Sequence, residues 1–124
     1  MKTIAVLGAS GNRRKYGNKS VRAYQAAGYK VYPINPHETE VEGLPTLPRL
    51  ADVPEPLERI SVYLQPEVTL QLLPEIAAAG AREVWLNPGS ADAQVVEEAR
   101  RLGLPVRYGC SIVDIGLSPA QFPA

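Results

Sequence analysis

Cysteine and histidine are almost missing from this chain: its 124 residues include one of each, Cys110 and His37. A lone thiol forms no internal disulfide, and one thiol with one imidazole falls short of the ligand sets that hold structural zinc. Acid is missing from the first 37 residues, which carry seven bases: Lys2, Arg13, Arg14, Lys15, Lys19, Arg22 and Lys30. No uncharged run exceeds ten residues, well short of the roughly 18 apolar residues of a membrane-spanning helix. The amino end passes from Met1-Lys2 straight into a strand-like run, with no hydrophobic stretch followed by a small-residue cleavage site. We therefore expect a cytoplasmic protein with no membrane partner. At 45% apolar and 21% charged residues, the composition is globular, and the length suits a single domain over residues 1–124.

The net charge of +0 hides a polarity. The remaining 87 residues hold six bases and 13 acids, so the front of the chain is +7 and the rest −7. Such an imbalance suits a front surface that meets an anion. It equally suits a basic face that pairs with acids elsewhere in the fold. Neutrality overall and the lack of a nucleic-acid motif argue against a duplex-binding surface.

Strand and helix patterns alternate along the chain. Thr3 to Leu7 is a continuous apolar run, as expected of a strand buried on both faces, and Gly8 ends it. Val21, Tyr24 and Ala27 recur at helical spacing from about Gly17, with Gly28 as the cap. Lys30 to Ile34 reads as a second strand, whose Pro33 must lie where no amide donor is needed. From Asn35 to Pro56 the prolines at 36, 45, 48, 54 and 56 predict a loop, with a short strand near Thr46 and a helical turn over Arg49 to Asp52. Ile60 to Leu64 is a strand. Pro66 begins a helix that Pro74 should kink or restart before Glu75 to Ala79. Glu83 to Asn87 is a strand, Asp92 to Leu102 an amphipathic helix, and Pro105 to Tyr108 the last strand. Repeated strand–helix–strand units predict an α/β, Rossmann-like open and mainly parallel sheet, with helices on both faces. A flavodoxin-like strand order is the structural alternative.

Open parallel sheets bind ligands outside the carboxyl ends of their strands. Those ends are Gly8-Ala9-Ser10-Gly11-Asn12, Asn35-Pro36-His37, Leu64-Gln65-Pro66 and Asn87-Pro88-Gly89-Ser90. Gly8 and Gly11 allow a tight turn and close approach of amides to an anion, and the next helix offers its positive end. Arg13, Arg14 and Lys15 follow, placed to meet further phosphate charge. The alternative is a glycine turn that only closes a strand–helix unit. A nicotinamide dinucleotide fingerprint fails here, because Ser10 and Arg13 stand where its second and third glycines belong. The second strand also ends in Ile34-Asn35-Pro36, without the acid that would hold an adenosine ribose. A phosphorylated ribose, as in NADP, remains compatible with the basic residues.

The segments Ile4 to Ser10, Tyr29 to Pro36, Val84 to Gly89 and the late Cys110 together resemble the small bacterial and archaeal CoA-binding proteins. These are similar in turn to the CoA-binding domain of the succinyl-CoA synthetase alpha subunit. The resemblance covers nearly the whole chain and implies a Rossmann-like CoA-binding fold. It implies that Gly8 to Asn12 hold CoA phosphates, that Asn35 and Pro36 flank the nucleotide, and that Leu64 to Pro66 lie near the adenine. Asn87 to Gly89 would line the neighbouring strand end. Many relatives carry a lysine after the Asn-Pro pair where this chain has His37, and Arg13, Arg14 or Lys15 would then supply the charge. The phosphohistidine segment of the synthetase belongs to another domain, so the resemblance carries no ligase activity.

Cys110 reads as a small buried residue at the end of a core strand, or as a thiol near the pantetheine end of CoA. His37 reads as a surface loop histidine, and Trp85 and Tyr63 as strand packing residues or neighbours of an adenine ring. The leading functional reading is a non-catalytic CoA or acyl-CoA binding module with a sensing or carrying role. The second is a small NADP-dependent reductase or CoA-handling enzyme using Cys110 or Tyr16. The uncharged tail Ile115 to Ala124 is a candidate for covering a sheet edge, for a homodimer contact or for docking a partner.

Overall fold

The computed structural model describes residues 2–124. The strand β1 (Thr3–Leu7) lies inside the sheet, paired with a parallel strand on each side and covered on both faces, and is buried along its whole length. Its alternating side chains therefore enter two separate cores. Ala5 and Leu7 join one cluster, and Ile4 and Val6 the other, which is why the run is continuously apolar. The strands β2 (Lys30–Ile34), β5 (Arg59–Val62), β6 (Glu83–Leu86) and β7 (Val106–Tyr108) complete a parallel sheet in the order β2-β1-β5-β6-β7. Helix α1 (Tyr16–Ala26) covers one face through Val21 and Tyr24. The other face is covered by α2 (Pro66–Ala79) through Leu73 and Ile76, and by α3 (Ala93–Arg101) through Val95 and Ala99. This is the expected Rossmann-like, doubly wound α/β architecture. Within the main sheet the strand order is of the flavodoxin-like kind.

Several local expectations change. Helix α2 runs unbroken through Pro74, although proline in a helix interior costs about 3 kcal/mol. Leu73 and Ile76 on either side of it are buried against the sheet, each contributing roughly 1.5–3 kcal/mol, and Pro74 itself faces solvent. Pro33 is accommodated because its carbonyl accepts from Leu47 N–H on the outer side of β2, so its missing donor also faces away from β1. The proline-rich stretch contains a hairpin that sequence reading missed: β3 (Glu40–Val41) pairs with β4 (Leu44–Pro45). Its two turn residues, Glu42 (φ 50°) and Gly43 (φ 78°), are both left-handed, the geometry that two-residue hairpins require. A 3₁₀ turn at Leu50–Asp52 follows as expected.

The strand expected over 60–64 ends at Val62, which frees Tyr63 and Leu64 for the region beyond the sheet. The last strand ends at Tyr108, so Cys110 is not on a strand. It is half-buried and caps the short helix α4 (Ser111–Asp114). The tail neither covers a sheet edge nor hangs free. The Arg22 guanidinium on α1 donates to the Phe122 and Pro123 carbonyls at 3.0 and 2.7 Å and lies 6.0 Å from the Phe122 ring centre. Among the described residues no helix is long and apolar enough to cross a membrane.

Candidate functional site

The chain leaves β1 towards β2 on one side and later returns to β5 on the other, so the sheet's switch point lies between the carboxyl ends of β1 and β5. Two glycines let three elements converge there. Gly8 has φ +86°, and a Cβ on it would stand 2.4 Å from the Tyr63 carbonyl oxygen after β5. A Cβ on Gly17, in the first turn of α1, would stand 2.1 Å from the Gly8 oxygen. Strand and helix thus approach as closely as backbone allows, a role like that of the packing glycine in dinucleotide fingerprints. Gly17 is absent from the expected site, though its position in the first helical turn after a glycine loop was a visible signal.

The loop between them is braced from within. Asn12 N–H donates to Ser10 Oγ and Arg14 N–H to Asn12 Oδ1, both at 3.0 Å. Outside the loop, Asn18 Nδ2 donates to the Ser10 carbonyl at 2.8 Å and Asn35 Nδ2 to the Ala9 carbonyl at 2.7 Å. These amides hold the loop's carbonyls. The Gly11 N–H, in contrast, donates to Glu38 Oε2 at 2.7 Å, so an anionic group already sits on the glycine loop.

Two adjoining cavities open at the switch point. One, of about 400 Å³, is apolar in character: Leu7, Ile34, Pro36, Leu50, Leu64, Val68 and Leu72 line it, with His37, Arg49 and Glu75 among its other walls. The second, of about 590 Å³, is lined by Ser10, Lys15, Tyr16, Gly17, Tyr63, Gln65, Pro88, Gly89 and Ser90. Gly8, Asn35, Leu64 and Val68 border both, which makes one crevice with an apolar and a polar half. Of the anticipated residues, the crevice brings together Gly8, Ser10, Lys15, Asn35, Pro36, Leu64, Gln65, Pro88 and Gly89. Gly11, Asn12, Arg13 and Arg14 lie on the adjacent loop, outside both linings, and Pro66 opens α2 beside Gln65. Ala9 is fully buried. Leu50, Val68, Leu72, Arg49 and Glu75 were missed, because they reach the site from the proline-rich loop and from α2 rather than from a strand end.

Asn87 and Cys110 do not join the crevice lining. Asn87 is 2% exposed; its Nδ2 donates to Ser61 Oγ and the Val62 carbonyl, and its Oδ1 accepts from Ser111 N–H, all at 2.9 Å. Ser61 and Ser111 hydroxyls meet at 2.7 Å, and the Tyr63 hydroxyl lies 3.3 Å from Ser111 Oγ. Asn87 therefore ties β5, β6 and α4 together, and its polar atoms face inward because a buried amide must find partners. Burial also pushes the Tyr63 phenol up. Trp85 packs on β6 with Arg59 lying 5.4 Å from its ring centre, and it joins neither cavity lining.

The basic front divides. Arg13 pairs with Glu42 at 2.6 Å and Lys30 with Glu55 at 2.5 Å, while Arg22 serves backbone carbonyls. The bond from Asn18 and then the Arg13 guanidinium hold the Glu42 carboxyl below its ordinary range, against an opposing effect of burial. Arg14, Lys15 and Lys19 have no acid within 4.0 Å among the described residues. Part of the charge is thus paired within the fold, and part remains beside the crevice.

The architecture recurs in known proteins. A conserved hypothetical protein from Pyrococcus furiosus superposes with a TM-score of 0.85 at 30% identity, covering 92% of this chain and 99% of that one. The alpha subunit of ADP-forming acetate–CoA ligase II from Pyrococcus furiosus is 32% identical over 117 residues, 89% of this chain and 25% of its own length. ADP-forming acetate–CoA ligase I from Archaeoglobus fulgidus is 25% identical over 113 residues, 83% of this chain and 16% of its own. The chain thus spans a quarter or less of either ligase. The model of the CoA binding domain matches residues 2–116, the whole of the sheet and both sides of the crevice, and the chain belongs to that CoA-binding domain family.

Proposed function

We propose that this protein binds CoA or an acyl-CoA in the crevice between the ends of β1 and β5, as a sensing or carrying module that performs no chemistry on it. The observation that carries the reading is the two-sided crevice: an apolar half of about 400 Å³ adjoining a polar half that contains Lys15 and the start of α1. An adenine suits the apolar walls of Leu50, Leu64 and Leu72. Phosphates suit the glycine loop, where the α1 dipole, Lys15 and nearby Arg14 favour negative charge. The relatives named as acetate–CoA ligases handle CoA, and a domain shared with them supports the same ligand class. Their ligase activity belongs to proteins of which this chain spans a fraction.

Calorimetric titration with CoA, acetyl-CoA, dephospho-CoA, NAD and NADP at one ionic strength tests the reading. Selective binding of CoA or acetyl-CoA is the expected result, and weaker binding of dephospho-CoA would place the 3′-phosphate in contact with basic side chains. Preference for NADP would favour a small reductase instead, and no binding to any of the five would overturn the proposal.

A further inference from the structure

The Gly11 N–H is directed at a carboxylate of the protein itself. Glu38 Oε2 accepts from it at 2.7 Å, and Glu38 Oε1 lies 3.1 Å from where a Cβ on Gly11 would stand. Glu38 is the first acid of the chain, and no basic group lies within 4.0 Å of it among the described residues. Its placement is held from both sides. Before it, the His37 N–H donates to Asn35 Oδ1 at 2.7 Å, and Asn35 itself grips the glycine loop. After it, the β3–β4 hairpin is pinned to the same loop region through Glu42, which receives Arg13 at 2.6 Å and Asn18 Nδ2 at 3.1 Å. The segment from Asn35 to Glu42 is thus an acidic strap over the glycine loop.

The geometry points to Glu38 as a specificity-determining residue that weakens the loop's hold on phosphorylated ligands: its carboxylate occupies the anion seat on Gly11, and a ligand phosphate takes that seat by displacing it. This rests on the proposal that the loop faces the phosphates of CoA. One amide N–H cannot serve two anions at full strength, and two like charges at neighbouring positions repel. A phosphate arriving at the loop therefore meets an unfavourable charge that the strap must withdraw. The strap therefore penalises anions in proportion to their charge and discriminates most against the most highly charged ligands.

The experiment titrates the wild type, Glu38→Gln and Glu38→Ala with inorganic pyrophosphate and with CoA at equal ionic strength. Glu97→Gln, on the far helix α3 where Glu97 pairs with Arg100, serves as the control for net charge. Removing the carboxylate at 38 should tighten both ligands by about three- to tenfold, while Glu97→Gln leaves them unchanged. Thermal unfolding without ligand checks that the 38 variants remain folded. Unchanged or weaker binding in both folded 38 variants overturns the inference, as does an equal gain in Glu97→Gln. If pyrophosphate binding tightens but CoA is not bound by any protein, the anion seat stands and the CoA reading falls. If the wild type binds CoA and the 38 variants match it, the reverse holds. Failure of every protein to bind either probe overturns both.

Discussion

The carboxyl ends of β1 and β6 look alike in sequence, each a strand followed by glycine and small polar residues, yet the fold uses them in opposite ways. At the end of β1, asparagines from outside the loop take its carbonyls, while Lys15 and the first turn of α1 face an open crevice. At the end of β6, Asn87 turns inward and both ends of its amide are engaged by β5 and α4. The residues beyond it, Pro88, Gly89 and Ser90, reach the crevice. The backbone of the β1 loop is partnered as well, and what it leaves facing the crevice is the Lys15 side chain, which has no acid within 4.0 Å among the described residues. At the end of β6 other elements of the chain engage the side-chain amide itself, and that end is a joint.

Breaking the two ends should have different signatures. The largest effect is expected for Gly17→Ala, which places a Cβ 2.1 Å from the Gly8 oxygen. Because backbone on both sides resists displacement, we expect a loss of about 3 kcal/mol or more, read by urea unfolding, together with loss of CoA binding. A variant of near-wild-type stability would show that α1 can shift at no consequence. Asn87→Ala comes next, at about 2–3 kcal/mol, because it strands the buried Ser111 N–H and leaves a cavity among buried groups. Its folded fraction should bind CoA as the wild type does, and a large rise in Kd at unchanged stability would return Asn87 to the ligand site. Lys15→Ala is expected to raise the Kd for CoA about three- to tenfold, more at low salt, with unfolding changed by less than about 0.5 kcal/mol. A salt-independent effect would point to packing rather than charge.

The smallest effect is expected at Glu42. Its folded-state value is depressed below the ordinary 4.5, so its contribution is fully present above that value and is lost as pH falls through the depressed one. Glu42→Gln should cost less than about 1 kcal/mol near neutrality, and the gap to wild type should close in the acid range below 4.5. A gap that stays constant with pH would mean that the hairpin turn, not the charge, is what the glutamate supports.

Much of this was legible beforehand. The alternation of strands and helices, the glycine loop after β1, and the residues Gly8, Ser10, Lys15, Asn35, Leu64 and Gln65 follow from period and punctuation, which are local signals. Pro74 misled because the local cost of proline was outweighed by burial of Leu73 and Ile76, a tertiary quantity. The hairpin at 40–45 was hidden in a proline-rich stretch, although Glu42-Gly43 is a serviceable turn pair. Leu50 and Leu72 escaped because only the Ile34–Leu47 bridge and the packing of α2 bring them to the crevice.

By itself, the sequence determined the parallel α/β plan, the double burial of β1 and the basic, acid-free front, since each depends on neighbouring residues along the chain. The tertiary structure alone decided which of those bases are paired, that Asn87 is a joint, and that Glu38 lies on the Gly11 amide. These are contacts between residues far apart in sequence, and only the closing of the fold chooses a partner for a polar group among the many of suitable chemistry.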